Sequence, residues 1–198
     1  MRALRPRFGA LGALCVLAAT LLLGACASLP TERAGPPRAA LETFALEARF
    51  ALRFEEKNYS GRLSWRHQGG DDALLLSSPF GQGIAEIVSD AAGARLTTSD
   101  GRSFAAADAG ALTQQFLGYP LPLSRLVDWV RAREGVGEVV QRDAYARPLR
   151  LHHEDWRIAY DYAGAEADAL PVLIFAERAD GFELRLRIDA WTNLAEKP

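Results

Sequence analysis

The chain has 198 residues, of which 49% are hydrophobic and 24% charged, with a formal net charge of −2. That length fits one domain with its own core, and the slightly acidic balance offers no basic patch of the kind that binds nucleic acid. The two cysteines, Cys15 and Cys26, both lie near the N-terminus. We therefore expect the folded part to depend on a hydrophobic core rather than on disulfides.

The N-terminus has the features of a lipoprotein export signal. Three arginines and no acid in residues 1–7 precede an apolar run from Ala10 to Leu23. This is typical of a secretory signal, and the run is shorter than the about 20 residues that span a bilayer. It ends in Leu23-Gly24-Ala25-Cys26, which resembles a bacterial lipobox. We predict cleavage after residue 25 and lipidation of Cys26; the alternative is an ordinary signal peptide with a chance cysteine.

Three segments are predicted from these features. Residues 1–25 are the signal peptide, 26–40 the lipidated N-terminus with a flexible tether rich in Ala, Pro and polar residues, and 41–198 the folded domain. Loss of the signal leaves 173 residues and takes the net charge from −2 to −5. Ala27 stands where lipoproteins held at the inner membrane commonly have aspartate, so we expect the outer membrane as destination.

Strands dominate the predicted domain. Apolar and polar residues alternate from Phe44 to Phe54 and from Tyr59 to Arg66, with a turn over 55–58 between them, which predicts a hairpin with one apolar face. Further strands are predicted at 73–77, 83–89, 94–98, 148–152, 156–162, 171–178 and 182–190. Because strands and helices do not alternate, an antiparallel meander is expected.

Two helices are predicted in the middle of the chain. Asp108 is expected to cap a helix that runs to about Leu117, and a second helix carries apolar residues at helical spacing from Leu123 to Val130. Strands lie before and after these helices, so we expect them to pack on the apolar face of the sheet. A curved sheet of this kind can fill its interior with side chains or keep a cavity. Packed cores are the more common of the two in folded domains, so a packed core is favoured at this point.

The sequence has few motifs that indicate a catalytic, metal-binding or phosphate-binding site. His152-His153-Glu154-Asp155 has metal-ligand residue types, but adjacent histidines on a strand point to opposite faces, so it is interpreted as the turn at a strand end. Asp71-Asp72 is interpreted as a solvated turn. The chain has no HExxH, GxSxG or phosphate-binding glycine loop. We therefore expect no catalytic residue, no metal, no cofactor and no enzyme activity.

One segment, residues 77–83, stands out because turn-forming residues surround a single large aromatic. Pro79 and Gly81 flank Phe80. Two interpretations stay open for this side chain. It folds back onto the core, or it forms an exposed apolar finger that marks an interaction or membrane-contact site.

The order of the motifs in the domain resembles the LolB family, outer-membrane lipoproteins that receive other lipoproteins from a periplasmic carrier and insert them into the membrane. The resemblance covers about residues 41–191. The segments that carry it are Gly61–Trp65, Leu74–Gly81, Asp100–Arg102, Gly118–Leu123, Leu126–Val130 and Leu186–Trp191. Their order, spacing and position after a lipobox make the resemblance specific.

The resemblance implies a mainly β (α+β) fold, an incomplete antiparallel β-barrel that encloses an apolar cavity for acyl chains, with the mid-chain helices as a lid. The lining residues expected from the alternation are Phe50, Leu52, Leu63, Trp65, Leu75, Ile87, Leu126 and Val130. The family also has an exposed leucine in the loop after the third strand, used in moving cargo to the membrane. Phe80 takes that place here, a departure in residue type that keeps a large apolar tip in the loop Pro79-Phe80-Gly81.

The function implied by the resemblance is transfer without covalent chemistry. The partners would be a LolA-like periplasmic carrier, cargo lipoproteins with their acyl chains, and outer-membrane lipid. The protein would act as a monomer on the periplasmic face of the outer membrane. The alternative is an envelope lipoprotein that serves as a structural or assembly partner without lipid binding.

Overall fold

The computed structural model describes Arg38 and residues 41–195. The predicted signal peptide, the lipidation site Cys26 and nearly all of the predicted tether lie outside the described residues. No helix in the described part of the chain is long and apolar enough to cross a membrane.

Eleven strands and two helices are present in residues 41–195. The strands are β1 (Phe44–Phe54), β2 (Lys57–Gln68), β3 (Asp71–Ser77), β4 (Gly83–Asp90), β5 (Gly93–Thr98), β6 (Ser103–Ala106), β7 (Glu138–Arg142), β8 (Pro148–His153), β9 (Trp156–Tyr162), β10 (Pro171–Arg178) and β11 (Glu183–Asn193). The helices are α1 (Ala109–Leu117) and α2 (Leu123–Val130). The nine predicted strands and both predicted helices are confirmed, whereas β6 and β7 were not predicted.

The strands form one antiparallel sheet in the order β6-β5-β4-β3-β2-β1-β11-β10-β9-β8-β7. Its centre is the pairing of the first strand with the last, which places Phe44 opposite Asn193. Every other pairing joins strands that follow each other along the chain. Because the order ends at β6 and β7 rather than closing, the barrel is incomplete, which confirms the predicted fold class.

Period-two alternation gives the sheet two unlike faces. In β1 the side chains of Phe44, Leu46 and Ala48 are buried, whereas Arg49 and Arg53 are exposed on the other face. We call the buried side the inner face and the solvated side the outer face. On the outer face Arg49 donates to Asp189 at 2.6 and 3.1 Å. Exposed ion pairs of this kind contribute less than about 1 kcal/mol each, so burial of the inner face dominates stability.

Both helices pack on the inner face, and we call them the helical cover. The carboxylate of Asp108 accepts the N–H of Ala111 at 2.7 Å and caps α1, and the helix ends at Gly118, whose φ of 78° suits a residue without a Cβ. The Thr113 hydroxyl accepts the N–H of Leu121 at 2.7 Å and so joins α1 to the segment that leads into α2. The cover is therefore one hydrogen-bonded unit.

Aromatic side chains join the helical cover to the second half of the sheet. The ring of Trp129 in α2 lies 5.1 Å from that of Trp156, which in turn lies 5.2 Å from Phe182. Tyr119, between the helices, lies 4.6 Å from Phe182. Aromatic pairs of this geometry contribute about 0.5–1.5 kcal/mol each beyond the area they bury. The first half of the sheet meets the cover through α1, which packs on β5 and β6.

Candidate functional site

The inner face of the sheet and the helical cover together form the expected ligand-binding region. Seven of the eight predicted lining residues lie on it: Phe50, Leu52, Leu63, Trp65, Ile87, Leu126 and Val130. Six of these are less than one tenth exposed and belong to one apolar cluster, while Phe50 is half-buried against it. These seven residues therefore lie on the inner side, and their role as the lining of an acyl-chain cavity stays a prediction.

The prediction that Leu75 lines the interior is wrong, because this side chain is 47% exposed on the outer face. The ladder pairs Leu74, and not Leu75, with the buried residues Trp65 and Ile87. Leu75 instead lies opposite Ser64 and Glu86. A run of three consecutive leucines shows no alternation, so the sequence does not indicate which of them face inward. Only the pairing of β3 with β2 and β4 decides this.

Buried apolar side chains of the sheet and of the helical cover pack together in the interior. Two pockets lined by described residues lie at its margins rather than at its centre. One, of about 300 Å³, lies beside the C-terminal end of α2 and is lined by Arg38, Leu41, Glu42 and residues 131–134. The other, of about 350 Å³, includes Leu52 but is formed mostly by outward-facing residues of β1, β2, β10 and β11. An acyl-chain cavity under the helical cover therefore stays a prediction.

A buried polar cluster lies within the apolar inner face. The Asp72 carboxylate accepts the indole N–H of Trp65 at 2.7 Å, and the same oxygen lies 2.8 Å from Nδ1 of His67. All three side chains are buried. The interpretation of Asp72 as a solvated turn residue is therefore wrong. The sequence could have indicated this burial, because Asp72 lies two residues before Leu74 in β3 and therefore on the same face of the strand.

The loop between β3 and β4 holds Phe80 fully in solvent. Its side chain is 99% exposed. A compact turn supports it: the N–H of Ser78 donates to the Gln82 carbonyl at 2.8 Å, and the N–H of Gly81 to the Ser78 carbonyl at 2.9 Å. Gly81 has a φ of 88°, which a residue with a side chain rarely adopts. Phe80 is therefore exposed and does not fold back onto the core, while its role as an interaction or membrane-contact site stays a prediction.

The cluster from His152 to Asp155 is divided by the strand geometry. His153 accepts the indole N–H of Trp129 at 3.2 Å, and Glu154 pairs with Arg125. These contacts tie α2 to the β8–β9 turn, so the cluster helps to hold the helical cover. Among residue 38 and residues 41–195, no three His, Cys, Asp or Glu side chains gather where they could hold a metal ion.

An open antiparallel sheet with an apolar inner face, a two-helix cover and one fully exposed apolar loop defines the class of incomplete-barrel domains with a covered apolar interior. A family model described as outer membrane lipoprotein LolB matches residues 42–191. The chain therefore belongs to the LolB family.

Individual relatives agree with this assignment. The outer-membrane lipoprotein LolB of Azoarcus sp. (strain BH72) is 38% identical over 197 residues, covering 96% of this chain and 100% of the relative. The one of Dechloromonas aromatica (strain RCB) is 35% identical over 175 residues, covering 86% and 92%. The chain is also similar to the solved structure of a LolA superfamily protein from Nitrosomonas europaea, at 9% identity and a TM-score of 0.47, covering 80% of this chain and 89% of that one. The family assignment depends on the sequence matches alone.

Proposed function

We propose that this protein accepts lipoproteins from a LolA-like periplasmic carrier by binding their acyl chains, and inserts them into the outer membrane. The observation that carries the proposal is the arrangement of one sheet. Its inner face is apolar and covered by two short helices, while the loop of its β3–β4 hairpin holds Phe80 fully exposed. Acceptance and delivery would thus use separate parts of the same domain.

The predicted lipid anchor gives this domain its place. Cys26 follows a sequence that resembles a lipobox, and the predicted tether joins it to the domain that begins at residue 41. Lipidation there would hold the domain on the periplasmic face of the outer membrane, as a monomer. Several acyl chains anchor a protein stably because each buried CH2 contributes about 0.8 kcal/mol.

Acyl chains would enter between the inner face and the helical cover. Apolar contacts have no direction, so methylene groups can replace contacts that α1 and α2 now make with the sheet. Among the described residues, two polar contacts tie side chains of α2 to the sheet: Trp129 to His153 and Arg125 to Glu154. Just after the helix, Arg131 donates to the Leu41 carbonyl at 2.7 Å and pairs with Glu42 at 4.0 Å. Opening the cover is therefore a displacement of packed helices rather than unfolding of the sheet.

Transfer from the carrier needs no chemical energy. A tenfold advantage in affinity corresponds to about 1.4 kcal/mol, which about two additional buried methylenes supply. Phe80 would then enter the bilayer surface and provide the route by which the acyl chains leave. The alternative of a structural partner without lipid binding gains no support from the family assignment.

The test is a two-stage transfer assay. Carrier loaded with a lipoprotein is mixed with this protein, and vesicles are added after cargo has moved. We expect cargo to leave the carrier without ATP and then to enter the vesicles. Phe80→Glu should receive cargo normally but deliver it poorly, since a charged tip does not enter the bilayer.

The matched control for this assay is Val140→Glu, because Val140 is also exposed but lies on the edge strand β7. It should behave as the unchanged protein in both stages. Cargo that stays on the carrier would contradict acceptance by this protein, and normal delivery by Phe80→Glu would contradict the role of the loop.

A further inference from the structure

The outer face of the β3–β4 hairpin carries large apolar side chains in solvent. Leu75, Ile84 and Val88 are 47%, 45% and 40% exposed. The register places Leu75 opposite Glu86, so its diagonal neighbours across the ladder are Ile84 and Val88. Such neighbours lie about 7–8 Å apart, within reach of side chains of this size. These three residues surround Glu86, which lies opposite Leu75 on the same face, and we call them the outer patch.

The outer patch continues towards the loop that carries Phe80. β3 ends at Ser77 and β4 begins at Gly83, so Ile84 lies directly at the foot of the loop. From Val88 to Ile84 the strand runs about 13 Å at 3.3 Å per residue. The apolar surface thus extends along the whole hairpin and ends in its exposed tip.

Three arginines border the outer patch. In β2, Arg66 lies opposite Ala73 and Arg62 opposite Ser77; in β5, Arg95 lies opposite Val88. None of the three takes part in an ion pair among the described residues, and Arg62 donates to the Pro79 carbonyl of the loop at 3.3 Å. Three positive side chains therefore border the patch, and one carboxylate, Glu86, lies within it opposite Leu75.

We propose that the outer patch, with Arg62, Arg66 and Arg95, docks on an anionic phospholipid surface, so that the whole hairpin and not Phe80 alone contacts the membrane. Exposed apolar side chains bordered by arginines match the acyl boundary and the phosphate groups of such a surface. Docking through the outer face leaves the inner face and its helical cover free to receive cargo. This inference rests on the proposed function, whose membrane contact it extends.

The test maps lipid contact with single-cysteine probes. The full-length protein is reconstituted into vesicles of phosphatidylethanolamine and phosphatidylglycerol, and an environment-sensitive fluorophore is attached to Leu75→Cys, Val88→Cys or Phe80→Cys. Val140→Cys, exposed on β7 at the far end of the sheet order, is the matched control. We expect blue-shifted emission and quenching by spin-labelled lipid at positions 75, 80 and 88, and aqueous emission at position 140.

The charge requirement is tested with the same probes. Replacing phosphatidylglycerol by phosphatidylcholine, or introducing Arg66→Gln and Arg95→Gln, should lower the docked fraction at positions 75 and 88. Each arginine should change the docking equilibrium about fivefold, as expected for one basic residue near an anionic surface.

Three results would overturn this inference. The first is lipid contact at position 80 with aqueous emission at 75 and 88, which would leave the proposed function standing with the loop as sole contact. The second is aqueous emission at all three positions, which would also contradict the membrane step of the proposed function. The third is shielding of position 75 only when the carrier protein is added, which would make the patch a protein-docking surface.

Discussion

Gly61 faces Phe50 directly across the β1–β2 ladder, and a Cβ atom at position 61 would lie 3.1 Å from Cε1 of the Phe50 ring. The same atom would clash with the carbonyl oxygen of Ser77 on the other side. The absence of a side chain at position 61 therefore lets an aromatic ring of β1 and the backbone of β3 approach β2 closely.

We expect Gly61→Ala to lower the free energy of unfolding by about 1–3 kcal/mol, because the clash with backbone must be relieved by moving a strand. Gly83→Ala is the matched strand glycine, since its added Cβ would meet no atom within 4 Å. That change should be neutral or slightly stabilising. Urea denaturation of both variants measures the difference, and equal stability would contradict the close approach at Gly61.

Leu74 and Leu75 form a second matched pair, adjacent in sequence and opposite in orientation. Leu74 is 7% exposed and Leu75 is 47% exposed. Leu74→Ala should destabilise the domain by about 2–5 kcal/mol, and Leu75→Ala by less than about 1 kcal/mol. Thermal unfolding distinguishes the two variants. A larger loss for Leu75→Ala would reverse the assignment of the two faces.

Asp72 should be far more important for stability than its neighbour Asp71. Asp72→Ala removes the acceptor of the buried Trp65 indole N–H and leaves His67 without that partner. We expect a loss of about 2–4 kcal/mol, since each buried group left unpaired costs about 1–3 kcal/mol. Asp71→Ala, at an exposed position of the same strand, should change stability by less than about 0.5 kcal/mol. Denaturant midpoints of the two variants provide the measurement, and similar midpoints would contradict the cluster.

One buried tyrosine, Tyr160, and one half-buried tyrosine, Tyr162, should make the domain sensitive to alkali. Burial raises the pKa of Tyr162 to about 12, and burial also raises the pKa of Tyr160. Because the pKa is raised in the folded state, the unfolded chain loses its tyrosine proton at a lower pH than the folded chain does. The free energy of unfolding is therefore unaffected by these groups below pH about 10 and falls as the pH rises towards 12. The hydroxyl of Tyr160 has no hydrogen-bond partner among the described atoms.

Tyr160→Phe should therefore leave stability at neutral pH unchanged or slightly higher, and reduce its fall above pH 10. The free energy of unfolding measured against pH for both proteins tests this. Tyr145→Phe, at an exposed position, is the control and should follow the unchanged protein. Parallel curves for Tyr160→Phe and the unchanged protein would contradict a buried hydroxyl at position 160.

Most of the fold follows from local periodicity, and the differences have identifiable causes. β1 and β11 alternate over long stretches, so their existence and their inner faces were predictable. β6 has four residues with one large apolar side chain, and β7 is an edge strand whose two valines are adjacent rather than alternating. Neither carries a period-two signal strong enough to indicate a strand.

The inward residues of the candidate site were predictable where apolar and polar residues alternate clearly. They were not predictable where only the pairing of strands decides which face a side chain lies on. The inward position of Leu63 and Trp65 follows from a regular pattern, whereas the run of leucines in β3 leaves its phase open. Exposure of Phe80 could not be decided from composition, because the supporting turn depends on backbone hydrogen bonds from Ser78 and Gly81. The outer patch was missed for the same reason as Leu75: its members belong to strands that carry apolar residues on both faces.

The pairing of β1 with β11 has a consequence for the order in which the protein can be assembled. These strands bond over residues about 140 positions apart, whereas every other ladder forms between neighbours in sequence. During synthesis, one edge of β1 in the six-stranded first half stays unpaired until β11 has been made. Open edges invite pairing with other chains, and contacts so distant in sequence form slowly. We therefore expect the nascent protein to be most prone to aggregation just before its final eleven-residue strand is complete.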